Sequence, residues 1–585
     1  MLGSRLRRLP ALLALLLAAA CGTPEQAPPP PDESITIAMT AFPDTMFGAE
    51  SQTAATFQVL SLIQPPCFTS LDGEYQPVCF TKIPAIADGD ARIDKVTVDS
   101  SYPGRVLFSD GTTTTLHLAE PIVMEQLHVT WTLRPNLRWE DGTPLTAHDF
   151  VFAAELYANP ATRTSRWLID NTVAYEAPDD RTLVWHGVPG YGDATYFLNA
   201  LAPEPKHLLA GKAPGDIRIG EYGREALAYG PYKVQTFERR KAITLVPNPH
   251  YWRAGEGLPR IKKIRFKLIE DPAAIIDGLE RGEIDVVGSQ GLSMLEIPAI
   301  ERLVASGVIS AHYVPSNSWE HIDFGLIREG EQEPLFAEQA VRQSAAYGID
   351  RQALIDREFA GKPTLMHSYI LPSHWAYLAP ERGLNPYRYD PELAAELLSQ
   401  AGWRRGADGV LVRDGRRFSA ELLIPEEYGY KMATAKLIQE QLGGLGMEIK
   451  IVVAPFETDE WPNAYAGHRF DLAMYGWVNG LEPPLMLFVC EAIPFAETGY
   501  QGQNYPGYCN PAFDEMVHPA RISADRPRIR HGLLESQRIF NEDLPVLPLY
   551  QHITPGITSR RVDGLAINPT HPADFWNIDE WTLRP

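Results

Sequence analysis

Apolar and polar positions along the chain change period repeatedly. Ser34-Ile-Thr-Ile-Ala-Met39 alternates every second residue, as a half-buried strand does, and Ile264-Arg-Phe-Lys-Leu-Ile269 does the same. After the second run, Asp271-Pro272 gives an N-cap with proline at the first helical position. Gly282 ends that helix and Ile284-Asp-Val-Val287 is the next strand, which completes a β-α-β unit. Tyr430 to Ala454 repeats the logic: a helix to Leu442, Gly443-Gly444 as its stop, then the strand Glu448-Ile-Lys-Ile-Val-Val-Ala454. Asp390-Pro391 opens a further helix, ended by Gly402. Such units predict mainly parallel sheets covered by helices, an α/β class. From about Tyr75 to Trp185 the pattern differs. That stretch is rich in Thr and Val and holds "TTTTLHL", "HVTWTL" and "TLVWHG" between turn signals, which predicts a mostly antiparallel insert. At 585 residues the chain is too long for one ordinary core, and two to four lobes are expected.

The N-terminus has the order of a secretory signal. Arg5, Arg7 and Arg8 form a basic region, and Ala11 to Ala20 is an apolar run of ten residues. A transmembrane helix needs roughly 20. Ala18-Ala19-Ala20-Cys21-Gly22 resembles a bacterial lipobox, with the usual Leu one place early at Leu17. On that resemblance residues 1–20 are a signal peptide and Cys21 becomes the lipidated N-terminus; the alternative is an ordinary signal cut near Ala20. "TPEQAPPPP", Thr23 to Pro31, is a semi-rigid proline-rich tether within a segment 21–33.

Charge and cysteine narrow the partners. The net charge is −22, and about −25 once the three arginines of the signal are gone. That acidity argues against nucleic acid and against an anionic membrane surface as partners, leaving the lipid as the membrane contact. Apart from Cys21, the cysteines are Cys67, Cys79, Cys490 and Cys509, two local pairs. In an exported chain such pairs point to two small disulfide loops. A metal site has little support, since neither pair is Cys-x-x-Cys and no His spacing accompanies them. Buried free thiols are the remaining alternative.

Catalytic motifs are scarce. The chain has no Gly-x-Ser-x-Gly elbow, no His-Glu-x-x-His, no P-loop and no Gly-x-Gly-x-x-Gly, and its fifteen histidines show no metal spacing. No cofactor is expected. The default moves from enzyme to binding protein, although a triad built from distant residues leaves no spacing to read.

The most specific stretch is Leu133-Arg-Pro-Asn-Leu-Arg-Trp-Glu-Asp-Gly-Thr-Pro-Leu-Thr-Ala-His-Asp-Phe150. Locally it is a strand, a turn at Asp141-Gly142, and a Thr146-x-x-Asp149 helix start ahead of the stripe Phe150, Ala153, Ala154 and Tyr157. As a whole it resembles the signature of the family 5 extracytoplasmic solute-binding proteins, which include oligopeptide-, dipeptide- and nickel-binding receptors of ABC importers. The resemblance recurs in order along the chain. It includes Gly230-Pro-Tyr-Lys-Val234 with Asn248-Pro-His-Tyr-Trp252, the block from Phe266 to Val286, and Val341-Arg-Gln-Ser-Ala-Ala-Tyr-Gly-Ile-Asp-Arg351. It ends with Asp471-Leu-Ala-Met-Tyr-Gly-Trp477 and Gly502-Gln-Asn-Tyr-Pro-Gly-Tyr-Cys-Asn-Pro511. It implies a two-lobed periplasmic-binding-protein-like fold with a cleft between the lobes and an extra domain in lobe one. The implied bounds are 34–66, 190–312 and 554–585 for lobe one, 67–189 for the insert and 313–553 for lobe two. The implied function is a monomeric receptor, lipid-anchored at the outer face of the cytoplasmic membrane or in the periplasm. It would capture a small organic ligand, an oligopeptide by family habit, and deliver it to an importer permease. The competing classes are a cell-surface lipoprotein enzyme (peptidase or glycosidase), a signalling co-receptor on the same fold, and the same receptor serving an oligosaccharide, opine or metal chelate.

Candidate cleft residues follow from the strand pattern and the resemblance together. Trp477 ends the apolar strand that begins at Asp471, and the carboxyl ends of strands are where open α/β sheets bind ligands. Asn479 lies just beyond it. Trp319 lies where the chain resembles a crossover strand, Asn504 and Tyr505 follow a Gly-Gln turn, and Phe42, Pro43 and Met46 follow the first strand. Aromatic faces of this kind suit an extended organic ligand. The competing role is structural: core aromatics for Trp477 and Trp319, loop packing beside Cys509 for Asn504 and Tyr505. One departure stands out. Peptide-binding members carry an Asp after the Trp, in "W-x-A-D", that pairs with a peptide's α-amino group. Here Gly480 occupies that position after Asn479, and Glu482 is the nearest acid.

Overall fold

The computed structural model describes residues 33–584 apart from 52, 72–73, 101, 103, 109–112, 116–119, 194, 329–332, 426–428, 455–463, 480–486, 497–501, 523–524 and 569–573. The expected signal, Cys21 and the proline-rich tether lie outside the described residues, as do Gly480 and Glu482.

The chain enters its main sheet through β1, Ser34–Met39, at the expected place. It then builds the insert from β2 (Ala91–Val98), β3 (Ile122–Thr132), helix α1 (Ala147–Ala158), β4 (Thr172–Asp179) and β5 (Thr182–Gly187). These four strands form one antiparallel sheet in the order β2-β3-β5-β4, as the Thr- and Val-rich pattern predicts. The local signals around α1 hold: Gly142 takes φ 88°, and the Asp149 carboxylate accepts from the Thr146 N–H at 2.9 Å. Phe150 and Ala153 are buried and put one face of α1 to the core.

The main sheet resumes with β6 (Tyr232–Glu238), β7 (Ala242–Pro247), β8 (Lys263–Leu268), α2 (Pro272–Glu280) and β9 (Val286–Val287). A long strand β10 (Ile309–Phe324) follows, then α3 (Pro391–Gln400), β11 (Ser419–Ile424), α4 (Gly429–Leu445), β12 (Glu448–Val453), β13 (Leu472–Val478) and β14 (Val546–Ser559). Asp271 and Asp390 cap α2 and α3, accepting from Ala273 N and Leu393 N at 2.9 Å each. The strand expected over Ile284–Val287 pairs only at Val286–Val287. At its entry the Asp285 carboxylate itself accepts the Thr36 N–H at 2.9 Å. Helix α4 passes through Gly443-Gly444, the expected stop, and ends before Gly446, which takes φ 96°. Leu442 and Leu445 are buried in that last turn, and Leu445 packs against Gly348, so tertiary burial carries the helix past two poor helix formers.

Strand order is β6-β7-β8-β1-β9-β14-β10-β13-β11-β12. The β-α-β units are parallel, β1 with β8 and β9, and β11 with β12 and β13. The sheet as a whole is mixed and not mainly parallel: the β6-β7 hairpin and the long strands β10 and β14 pair antiparallel. Three large cores flank these sheets. One joins β1, β7 and β8 to Phe575, Ile578 and Trp581; one packs α3 and α4 on Ile322, Leu422, Met474 and Leu547; one fills the insert around Trp131, Trp139 and Trp185.

The cysteines pair locally, Cys67 with Cys79 and Cys490 with Cys509. On the chain-entropy account, loops this short each stabilise by roughly 3 kcal/mol. Alkylation of the unreduced, denatured body, read by intact mass, is expected to add no label at these four positions. Four labels would contradict both bridges.

Candidate functional site

β10 and β13 run side by side, with Trp319 opposite Trp477, Glu320 opposite Gly476, His321 opposite Tyr475 and Asp323 opposite Ala473. Side chains alternate between the faces of a strand, so this register sorts the residues into two sets. Trp319, His321, Asp323, Tyr475 and Trp477 share one face, and Glu320 takes the other.

The first face is a stack of rings over an ionisable floor. Tyr505 lies nearly parallel to Trp477, 6.2 Å between centroids, and 4.0 Å from Tyr465. Trp477 is parallel in turn to His321 at 6.5 Å. His321 is fully enclosed, 4.5 Å from the Trp319 ring and 4.3 Å from that of Tyr475. Asp323 Oδ2 accepts from the hydroxyls of Tyr465 at 2.6 Å and Tyr475 at 2.9 Å, and Oδ1 faces His321 Nε2 at 3.3 Å. Burial first, and the Asp323 charge second, push the Tyr475 phenol well above its ordinary range, so it remains a donor.

The second face holds a buried ion pair. Glu320 Oε1 accepts from Lys431 Nζ, at the start of α4, at 2.8 Å, and Oε2 lies 3.1 Å from His552 Nε2. Burial alone would raise the Glu320 carboxyl; the Lys431 charge and the His552 contact outweigh it and hold the group down at about 2.

Just above both faces, the β10–β14 ladder shifts register between Pro315 and Trp319. The irregular residues are held from two sides. Gln551 Nε2 donates to Ser316 O at 2.7 Å, and Asn479 N donates to Asn317 O at 2.8 Å. The Asn479 side chain accepts from Trp319 Nε1 at 3.0 Å and donates to Tyr369 O at 3.2 Å.

Trp319, Trp477, Asn479 and Tyr505 therefore come together at the carboxyl end of β13. Trp477 and Tyr505 are half-buried there, whereas Trp319 is fully enclosed with its N–H given to Asn479. Asn504 is buried and spends its side chain on the loop, donating to Val489 O and Tyr508 O and accepting from Tyr508 N. Met46 is fully buried in the core around β1, so in this conformation neither Met46 nor Asn504 offers atoms to a ligand. Phe42 lies on the other half of the sheet, edge-on to Phe237 at 5.4 Å. Sequence reasoning missed Glu320, His321, Asp323, Tyr465, Tyr475, Lys431 and His552. One signal was present: Glu320, His321 and Asp323 interleave with the apolar Trp319, Ile322 and Phe324 at the buried end of β10, where ionisable groups are rare without a task.

A family profile described as "Bacterial extracellular solute-binding proteins, family 5 Middle" matches residues 114–489. The oligopeptide-binding protein AppA of Bacillus subtilis (strain 168) is 24% identical over 461 residues, 77% of this chain and 80% of that protein. The oligopeptide binding protein of Thermus thermophilus, solved with a pentapeptide, matches with TM-score 0.64 at 22% identity, over 94% of this chain and 96% of that one. NikZ from Campylobacter jejuni, solved with Ni(L-His), matches with TM-score 0.65 at 18% identity, over 94% and 100%. The fold is thus the two-lobed periplasmic-binding-protein type.

The ion pair makes a testable contribution to stability. The folded Glu320 carboxyl lies below its ordinary value of 4.5. Its contribution is complete above that value and is lost as pH falls from 4.5 to about 2. Removing one member of a buried pair by Glu320→Gln is expected to cost about 3–5 kcal/mol at neutral pH. It is also expected to flatten the fall in urea midpoint across that acid window. A variant with an unchanged midpoint at pH 7 and an unchanged acid slope would contradict the assignment.

Proposed function

The chain belongs to the bacterial extracellular solute-binding proteins of family 5, non-enzymatic receptors of ABC importers, and we propose that it captures a peptide between its lobes and hands it to the importer permease. Residues 34–66, 190–312 and 554–585 form lobe one, 67–189 the insert within it and 313–553 lobe two. The observation that carries the proposal is the half-buried Trp477–Tyr505 stack at the carboxyl end of β13. Flat rings on a strand end give an extended ligand large contact area at small entropic cost. The register shift at 316–318 is where the lobes hinge, and the ligand closes them by binding the closed state better than the open one.

The peptide class is supported by the oligopeptide-binding relative and by the pentapeptide in a protein of the same fold. The amine end of the peptide is read differently here than in the family habit. Gly480 offers no carboxylate, and the neighbouring Asn479 amide is already engaged by Trp319 and Tyr369. An uncharged amide would in any case lack the charge-assisted bond.

Mass spectrometry of small molecules released on denaturing the purified protein is expected to find peptides; an oligosaccharide, opine or chelate would overturn the ligand class. Trp477→Ala is expected to weaken binding by about 1–3 kcal/mol while the fold survives, read by calorimetry and circular dichroism. Normal binding would remove Trp477 from the site. Acetylating the peptide's N-terminus is expected to cost little, and a large loss would mean that another acid, such as Glu482, anchors the amine.

Cys21 carries the lipid that holds the receptor at the membrane. Cys21→Ser is expected to release the protein from the membrane fraction or to block its processing, read by fractionation in detergent. Unchanged attachment would rule the anchor out.

A further inference from the structure

On the far side of the register shift from Trp477, the first half of β10 and the last half of β14 form the floor of a cavity of about 380 Å3. Ser310 lies opposite Thr558, and His312 is two residues further along β10. Side chains alternate between faces, so Ser310, His312 and Thr558 share one face of the ladder. Ile309 and Ile557 take the other face and fill a core. The walls come from the chain just after β14. Arg560 supplies one side. Val562–Asp563 pairs with Thr582–Leu583, and that short ladder brings Asp563 and Arg584 to the other side.

The lining is rich in hydrogen-bond donors that the protein does not use. Arg560 gives its Nε–H to Gly307 O at 2.8 Å and has no carboxylate partner among the described residues. Arg584 Nη2 lies 3.2 Å from Asp563 Oδ1, and the rest of its guanidinium is unspent. The Ser310 and Thr558 hydroxyls and the His312 ring make no side-chain hydrogen bond among the described residues. Thr558 is only 4% exposed, and a hydroxyl at that depth needs a partner. Two guanidinium groups against one carboxylate leave the cavity positive, a local exception in a chain of net charge −22.

Unspent arginine donors select carboxylate or phosphate oxygens. Here the donors converge from three directions: Arg560, Arg584 and the hydroxyl-lined floor. A planar carboxylate offers two oxygens in one plane, whereas a tetrahedral phosphate offers strong acceptors in several directions. We propose that this cavity binds a phosphate group, with Arg560 and Arg584 pairing its charge and Ser310, Thr558 and His312 meeting its remaining oxygens. Two sources share that chemistry. One is a free phosphate. The other is the phosphodiester of a lipid headgroup. Arg561, beside Arg560, donates to Ser34 O at the start of β1, 13 residues after Cys21. Extended chain of that length spans about 45 Å, which keeps the cavity within reach of a membrane surface. Binding at this site requires neither the peptide cleft nor the lipid anchor proposed above.

The test uses the chain from residue 22 onward, which holds every described residue. It is titrated calorimetrically with inorganic phosphate against chloride at matched ionic strength. It is also co-sedimented with phosphatidylglycerol and with phosphatidylcholine vesicles. One phosphate per chain is expected, and Arg560→Gln and Arg584→Gln are each expected to weaken binding by about tenfold or more. Asp563→Asn is expected to tighten it, because the one competing carboxylate is gone, a gain that misfolding does not mimic. Trp477→Ala is expected to leave it unchanged. Binding to phosphatidylglycerol vesicles that Arg560→Gln abolishes and phosphate displaces would assign the headgroup as the source; phosphate binding without vesicle binding would assign the free ion. No binding of either, a chloride response equal to that of phosphate, or equal affinity in the Arg560, Arg584 and Asp563 variants would overturn the proposal.

Discussion

Among the described residues, the two halves of the main sheet are joined through the pairing of β10 with β14. Ile309–Pro315 pairs with Ile553–Ser559 on one side of the register shift, and Trp319–Asp323 with Val546–Gln551 on the other. On the proposed reading the two ladders belong to two bodies and the few residues between them form the joint; the second ladder carries a further register shift between Glu320 and His321. The same strand fixes the site. β13 hydrogen-bonds to β10 immediately past the shift, so Trp477 and Asn479 arrive beside the joint by register alone. The place that would hold a ligand and the place that would bend share one backbone.

That register comes with a stability cost. A strand in the middle of a covered sheet is ordinarily Val, Ile or Leu, and Ile322 and Phe324 follow that rule. Glu320, His321 and Asp323 do not, and all three are fully buried. Taking a charge out of water costs several kcal/mol unless it is matched. Lys431 and His552 offset it for Glu320, and two tyrosine hydroxyls do so for one oxygen of Asp323. A run that breaks the local rule while its neighbours obey it marks function more than stability.

Much of this was legible in the sequence, for identifiable reasons. Caps are local, so Asp271, Asp390 and the Thr146–Asp149 pair announced their helices within four residues. Period-two alternation announced β1, and Thr- and Val-rich runs between turn signals announced the antiparallel insert. Gly443-Gly444 misled because the burial of Leu442 and Leu445 outweighed propensity. The antiparallel return of β10 and β14 was not legible, since a strand's own pattern does not state its direction. At the site, Trp477 was visible as the end of an apolar run. Tyr505 was named as well, but its stacking on Trp477 was not legible, and Tyr465 and His321 were missed, because the three come from separated segments that only the fold brings together.

The core around β1 contains Ile35 and Ile37 together with Phe575, Ile578 and Trp581. A ribosome makes these two groups at widely separated times: at roughly 5–20 residues per second the interval is on the order of half a minute to two minutes. Part-way through it β1 gains its pairing partners β8 and β9, but throughout it lacks the three C-terminal side chains that complete its core. The core packed on α3 and α4 draws on residues 294–553 and needs nothing made later. The insert's core draws only on residues 67–229 and closes without anything made later as well, so the lobe that begins first is the last to be completed, when residues near Trp581 emerge.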